Sequence, residues 1–265
     1  MPELPDIEHF KRYIDSTSLH KPIAEAKVED SYALKGIDPK KLTNSLAGQH
    51  FSETFRHGKY LFLNLSDHHT LLLHFGMTGY PKYFKNEEKK PDYTRLLLTF
   101  DNGYHLAYSC KRKLGEIRLV EDPDTFISDN NMGPDALDPN LDFDAFSKAF
   151  EGRRGMIKPA LMNQEIIAGI GNEYADEILF QARIHPKTQV PDLEQGDFKS
   201  LYNTMQQVLT KAIDCRADKD RFPDHFLLLN REVDAECPGG CGGTIQTAEV
   251  SGRTAYFCAD CQEKK

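Results

Sequence analysis

The sequence predicts an α+β chain in two parts. An antiparallel β half with a helix at its start is followed by a helical half that ends in a cysteine-rich hairpin. Three observations carry this. Short apolar runs between turn signals fill residues 22–118. Apolar residues recur at helical spacing beyond residue 140. Four of the six cysteines fall in the last 29 residues.

Residues 5–16 read as an amphipathic helix, because Pro5 suits the first helical position and Ile7, Phe10 and Ile14 share a face. Residues 60–65, 70–75 and 94–100 read as strands, and Asp101-Asn102-Gly103 as a hairpin turn into 104–108. The stretch 121–140 is rich in Pro, Asp and Asn and is expected as a linker. Asp142 is placed to cap a helix through about Phe150. Further helices are expected over 156–163, 172–182 and 195–214, the last with Leu201, Met205, Val208, Leu209 and Ile213 inward. The expected division is a β domain at 1–120, the linker at 121–140, a helical domain at 141–230 and a cysteine-rich finger at 231–265.

A length of 265 residues suffices for two cores, and 39% hydrophobic with 28% charged residues is ordinary for a globular protein. No apolar run approaches the roughly 20 residues that span a bilayer, and no signal peptide stands at the start, so a cytoplasmic protein without membrane attachment is expected. The net charge of -8 argues against a chain that coats nucleic acid non-specifically. It leaves local basic clusters at 56–59, 111–113 and 153–158, each of which reads by itself as solvated surface.

Three stretches carry chemistry. Cys237-Pro238-Gly239-Gly240-Cys241 and Cys258-Ala259-Asp260-Cys261 have the pairing of two knuckles around one structural zinc ion, with a disulfide framework as the other reading. Ile167-Ala168-Gly169-Ile170-Gly171-Asn172 offers two glycines for close backbone approach. Asn172 is then expected to cap the next helix and leave its N–H groups for a phosphate. At the start, removal of Met1 would make Pro2 a secondary amine, a weaker base than lysine and a nucleophile toward aldehyde-like carbon. Glu3 beside it is a candidate proton donor or acceptor. Alone, Met1-Pro2-Glu3 is a weak signal, and a plain helix start with acids in its first turn is the simpler reading.

Taken in order, these stretches resemble the formamidopyrimidine-DNA glycosylase and endonuclease VIII family of base-excision repair enzymes over essentially the whole chain. Met1-Pro2-Glu3-Leu4-Pro5-Asp6-Ile7-Glu8 resembles its amino terminus, and Gly58-Lys59-Tyr60-Leu61 its hairpin lysine. His74-Phe75-Gly76-Met77-Thr78-Gly79 is similar to its gap-filling loop, 157–186 to its helix–two-turn–helix motif, and the tail to its zinc finger with an arginine at the tip. The resemblance implies two lobes: an N-terminal antiparallel β-sandwich with flanking helices, then a helix–two-turn–helix bundle with a four-cysteine zinc-finger hairpin. It implies a bifunctional glycosylase and AP lyase, needing no partner subunit, that acts on double-stranded DNA containing a damaged base or abasic site. Pro2 would attack the sugar C1′, Glu3 would shuttle protons and Lys59 would bind phosphate near the lesion. Met77, with Arg112, Lys113 and Leu114, would contact the opened duplex, and Lys158, Asn172 and Arg253 would grip phosphates.

The chain departs from the family pattern in three places. Where the family often inserts an Arg-Phe pair, the chain aligns as Lys113-Leu114, and a lysine lacks the planar fork that reads a base edge. The first cysteine knuckle holds three residues between its cysteines where two are usual. The segment 214–223 is too short for the glycine- and threonine-containing loop that closes over 8-oxoguanine in formamidopyrimidine glycosylases. Oxidised pyrimidines, formamidopyrimidines or hydantoins are therefore expected in preference to 8-oxoguanine. A non-catalytic binder of damaged or abasic DNA on the same scaffold is the alternative.

Overall fold

The first helix, α1 (Leu4–Ser18), follows from the spacing of Leu4, Ile7 and Ile14, all fully buried. Its outer face carries the i,i+4 ion pairs Glu8–Arg12 and Lys11–Asp15. A computed structural model describes residues 1–265. The chain divides into one unit of Met1–Pro2 with Asp6–Asn131 and a second of Glu3–Pro5 with Met132–Lys265. No helix is long and apolar enough to cross a membrane.

In the first unit β1 (Ile23–Val28) is followed by α2 (Pro39–Leu46), β2 (Phe51–His57), β3 (Tyr60–Leu65), β4 (Thr70–His74) and β5 (Gly79–Phe84). Then come β6 (Thr94–Phe100), β7 (His105–Cys110) and β8 (Glu116–Val120). They form two antiparallel four-stranded sheets, ordered β1-β6-β7-β5 and β2-β3-β4-β8. Leu61, Leu63, Leu71 and Leu73 of one sheet share a core with Leu96, Leu98 and Leu106 of the other and with Ile7 and Ile14 of α1. This is the expected sandwich.

The runs in β3 and β4 are continuous rather than alternating because both faces are covered. Phe62 points away from the sandwich core, stacks on Phe55 at 4.6 Å and meets Phe126 at 6.1 Å. Phe126 belongs to α3 (Pro123–Asp129), a helix inside the stretch expected as linker. Asp122 caps it by accepting from the N–H groups of Asp124 and Thr125, and Pro123 occupies its first turn.

The second unit holds α4 (Phe143–Ala149), α5 (Ile157–Met162), α6 (Asn172–Gln181), α7 (Gln195–Asp214) and the hairpin β9 (Ile245–Val250) with β10 (Arg253–Cys258). Asp142 caps α4 by accepting from Ala145 N at 2.8 Å. The α7 stripe Leu201, Met205, Val208, Leu209 and Ile213 is buried with Phe146, Leu161 and Ile178 of the other helices. The hairpin joins this unit through Phe180 of α6 and Leu227, which are buried with Cys237, Ile245 and Cys258.

Candidate active site and nucleic-acid interface

The glycine pair at 169 and 171 seats the amino-terminal segment. Leu4 N donates to Gly169 O at 3.1 Å, and a Cβ at Gly169 would fall 2.5 Å from the Leu4 side chain. The buried Glu3 carboxylate accepts from Gly171 N at 2.7 Å, Glu173 N at 2.9 Å and Tyr174 N at 3.2 Å. The expectation of a phosphate site there is corrected: the N–H groups and positive end of α6 face a carboxylate of the same chain. Asn172 is also the first helical residue, and Gly171 is the cap position.

Pro2 is thus joined to a side chain held by three hydrogen bonds, while Met1 is 46% exposed. Lys59 lies in the tight β2–β3 turn beside Gly58, whose φ is 56°, and is 9% exposed. Arg56 supports that turn, with Nη1 donating to Gly58 O at 3.3 Å and Nε lying 3.4 Å from Glu8.

Within the first unit, the turn carrying Met77 and the loop carrying Leu114 are built against each other. Gly76 has φ 58°, and a Cβ there would lie 2.5 Å from Leu114 C and 2.6 Å from Gly115 N. Arg112 N donates to Thr78 Oγ1 at 3.0 Å. Below them Tyr108 Oη donates to His74 O at 2.8 Å, and Gly76 N to His74 Nδ1 at 3.4 Å. Burial lowers the His74 pKa and raises that of Tyr108, so the imidazole stays neutral as acceptor and the phenol protonated as donor. Met77 and Leu114 remain 37% and 50% exposed.

Lys113, expected at the duplex beside Leu114, is engaged within the chain. Its ammonium lies 2.9 Å from Asp30 Oδ2 and 5.4 Å from the Tyr32 ring, on a left-handed backbone with φ 54°. Arg112, one residue earlier, is exposed and enters no ion pair. The guanidinium that this loop exposes is that of Arg112.

Lys158 is likewise not a surface cation. It is fully buried, 2.7 Å from Asp176 Oδ1, and donates to Thr254 O at 3.1 Å. Arg231 lies 2.8 Å from the other Asp176 oxygen and covers the Tyr256 ring at 4.6 Å. Burial pushes the Lys158 ammonium down and the Asp176 carboxyl up, with Lys158 and Arg231 opposing the latter. Asn172 Nδ2 also donates to Thr254 O, at 3.3 Å. Asn172 and Lys158 thereby fix the strand that presents the exposed Arg253 beside the Ser251-Gly252 turn. No local pattern marks Asp176 or Arg231 as members of this network, because their partners are distant along the chain.

After α7 the segment expected to be short is a compact turn. Cys215 Sγ contacts Arg221 O at 3.1 Å, and Lys219 lies 2.7 Å from Glu173 on the first turn of α6.

The Cys237, Cys241, Cys258 and Cys261 sulfurs all lie within 4.8 Å of one another. The nearest approaches, 3.6 Å for Cys237–Cys261 and 3.5 Å for Cys241–Cys258, are far beyond the about 2.05 Å of a disulfide. They are close to the about 3.8 Å edge of a tetrahedron with zinc–sulfur bonds near 2.3 Å. The four thiols fit a structural zinc ion with no open position, and the three-residue knuckle closes on it.

Sandwich, helix–two-turn–helix and four-cysteine hairpin follow one another here as they do in a class of DNA-repair glycosylases. Residues 1–117 match the formamidopyrimidine-DNA glycosylase N-terminal domain and residues 132–223 the formamidopyrimidine-DNA glycosylase H2TH domain. The chain is 31% identical to the formamidopyrimidine-DNA glycosylase of Arabidopsis thaliana, over 99% of its own length and 71% of that protein. It is also 31% identical to that of Mycoplasma genitalium, over 99% and 96%. Among solved structures it resembles Lactococcus lactis Fpg in complex with DNA containing an abasic site, with TM-score 0.88 and 25% identity over 99% of this chain and 100% of that one. The same enzyme with N7-benzyl-Fapy-dG DNA gives TM-score 0.90 and 26% identity over the same shares. The chain belongs to the formamidopyrimidine-DNA glycosylase family, whose members are bifunctional DNA glycosylases and AP lyases.

Proposed function

We propose that the protein excises oxidised bases from double-stranded DNA and cleaves the resulting abasic site, with oxidised pyrimidines, formamidopyrimidines or hydantoins preferred to 8-oxoguanine. The observation that carries this reading is the Glu3 carboxylate, buried on the N-terminus of α6 and covalently next to Pro2.

With Met1 removed, the Pro2 nitrogen attacks C1′ of the lesion sugar, and the C1′–base bond breaks. The base leaves with the proton that the proline nitrogen gives up. The C1′–O4′ bond of the sugar ring then opens, O4′ takes a proton, and the nitrogen and C1′ become an iminium. Loss of the C2′ proton then sends its electron pair toward the iminium and expels the 3′ phosphate. A further elimination expels the 5′ phosphate. Glu3 moves protons in these steps. Lys59 binds phosphate near the lesion, while Arg253 and Asn172 hold neighbouring phosphates. Lys158 acts from below by fixing Thr254. Met77 and Leu114 fill the space left by the extruded nucleotide, at a site where unstacking costs a few kcal/mol. Arg112 faces the opposite strand, and Lys113 holds the loop. The compact turn at 215–222 supports the lesion preference, since it leaves little chain to fold over a large purine.

Borohydride trapping tests the chemistry. Protein lacking Met1 is expected to form a covalent adduct with abasic duplex, and Pro2→Gly to weaken or abolish it. Tight binding without any adduct would instead make the chain a non-catalytic damage binder. Side-by-side excision tests the substrate class, and efficient release of 8-oxoguanine would overturn the lesion preference.

A further inference from the structure

Apart from Met1, the large apolar side chains exposed on the first unit are Tyr32, Met77, Tyr80, Tyr93 and Leu114. Met77 and Leu114 belong to the wedge described above. Tyr32 and Tyr93 do not, yet both adjoin the 111–114 loop.

Tyr32 stands on a short turn (Ser31–Ala33) capped by Asp30, whose Oδ1 accepts from Tyr32 N at 3.0 Å. Lys113 and Lys35 lie 5.4 and 5.9 Å from its ring centre. Tyr93 enters β6 on a left-handed backbone with φ 59°, held there as its carbonyl accepts from Cys110 N at 3.1 Å. Lys111 and Arg95 lie 5.8 and 5.9 Å from that ring. Asp30 Oδ2 joins the two rings by pairing with both Arg95 and Lys113. The result is one continuous ladder, Tyr32–Lys113–Asp30–Arg95–Tyr93, flanked by Lys35 and Lys111.

Four cations against one carboxylate give the ladder a positive balance on a chain of net charge -8. Tyr32 is 58% exposed and Tyr93 49%, so each ring keeps an open surface beside a cation. A base stacks on such a ring while its phosphate meets the cation. A paired duplex hides its base faces in its own stack, so the rings have something to hold only where bases are unpaired. Left-handed backbone is costly at a non-glycine residue, and Tyr93 adopts it with its side chain exposed.

We propose that Tyr32 and Tyr93 form a stacking platform for unpaired nucleotides of the strand opposite the lesion, so that the protein engages damage in bubbles and gaps as well as in paired duplex. This rests on the DNA reading above but not on its chemistry, because the platform acts in binding alone.

The test is fluorescence anisotropy with labelled duplexes carrying a tetrahydrofuran abasic analogue, either fully paired or facing a short unpaired run. Tyr32→Ala and Tyr93→Ala are each expected to weaken binding to the bubble about tenfold, within the range of one base–aromatic stack, and to leave the paired duplex within about twofold. Tyr32→Phe and Tyr93→Phe, which keep the ring, should bind as wild type does. Unchanged bubble affinity in the alanine variants, or an equal loss on both DNAs, would overturn the platform. Borohydride trapping of the wild type on paired abasic duplex reports separately on the enzymatic reading.

Discussion

Glu3 Oε2 lies 2.7 Å from Gly171 N, and a Cβ on residue 171 would collide with the Glu3 carboxylate. The acid beside the proposed nucleophile is thus placed by a residue that has no side chain. Gly171→Ala is expected to displace Glu3 and reduce borohydride-trapped adduct at least tenfold, while overpacking costs about 1–3 kcal/mol of stability. Adduct formation at the wild-type rate in a folded Gly171→Ala protein would contradict this placement.

The buried Lys158–Asp176 pair and the exposed Arg253 should behave differently toward salt. Arg253→Ala is expected to lower the slope of log binding constant against log salt by about 1. Lys158→Met leaves that slope unchanged but destabilises the fold by about 1–3 kcal/mol, since it removes one of the two cations that pair with the buried Asp176 and leaves Arg231 alone. Denaturant unfolding and salt titration together separate the two roles. A slope change in Lys158→Met would mark it as a phosphate ligand after all.

Burial raises the Glu177 carboxyl to about 7 from its ordinary 4.5, although Gln181 and Leu228 N both donate to it. A folded-state pKa above the unfolded one means that the folded protein keeps a proton the unfolded chain releases. This contribution is intact below pH 4.5 and is lost as the pH rises through 7, by about 3 kcal/mol in total. Glu177→Gln cannot ionise, so its Tm should exceed that of the wild type at pH 8 and converge with it near pH 5. Parallel Tm profiles would show that the carboxyl titrates normally.

Because Arg112 presents the free guanidinium and Lys113 is tied to Asp30, opposite-base selectivity should depend on the former. Arg112→Ala is expected to flatten the ranking of excision opposite C, A, G and T, with Lys113→Ala preserving it. The reverse pattern would restore the simple Lys113-Leu114 alignment.

Chelation of the ion held by the four cysteines should release the 231–265 hairpin, because the apolar side chains it buries, chiefly Ile245, Val250, Ala255 and Phe257, are too few for a core of its own. Loss of DNA binding with one zinc ion released per chain is the expected result, measured by metal-indicator titration alongside anisotropy.

Features written in local pattern are legible without the fold. The α7 stripe and the β3 and β6 runs lie where their spacing puts them, and the cysteine pairs converge as their spacing requires. Two short helices are not legible in this way, although each begins with an Asp-Pro start, Asp38-Pro39 and Asp122-Pro123. Both are masked by charged surroundings too brief to show a helical period. The site is legible in residue type and illegible in partnership. Nothing near Lys158 points to Asp176, nothing near Lys113 to Asp30, and nothing near Gly171 to Glu3, because each contact is made by distant parts of the chain.

The Glu3 cap also sets an order in time. Its partners are residues 171, 173 and 174, which are made long after Glu3 has left the peptidyl-transferase centre. At a synthesis rate of about 5–20 residues per second, roughly 10–35 s pass before the helix that receives Glu3 exists. Throughout that interval the Glu3 carboxylate has no helix N-terminus to accept from, so the acid of the proposed site is set only once the second half of the chain has been made.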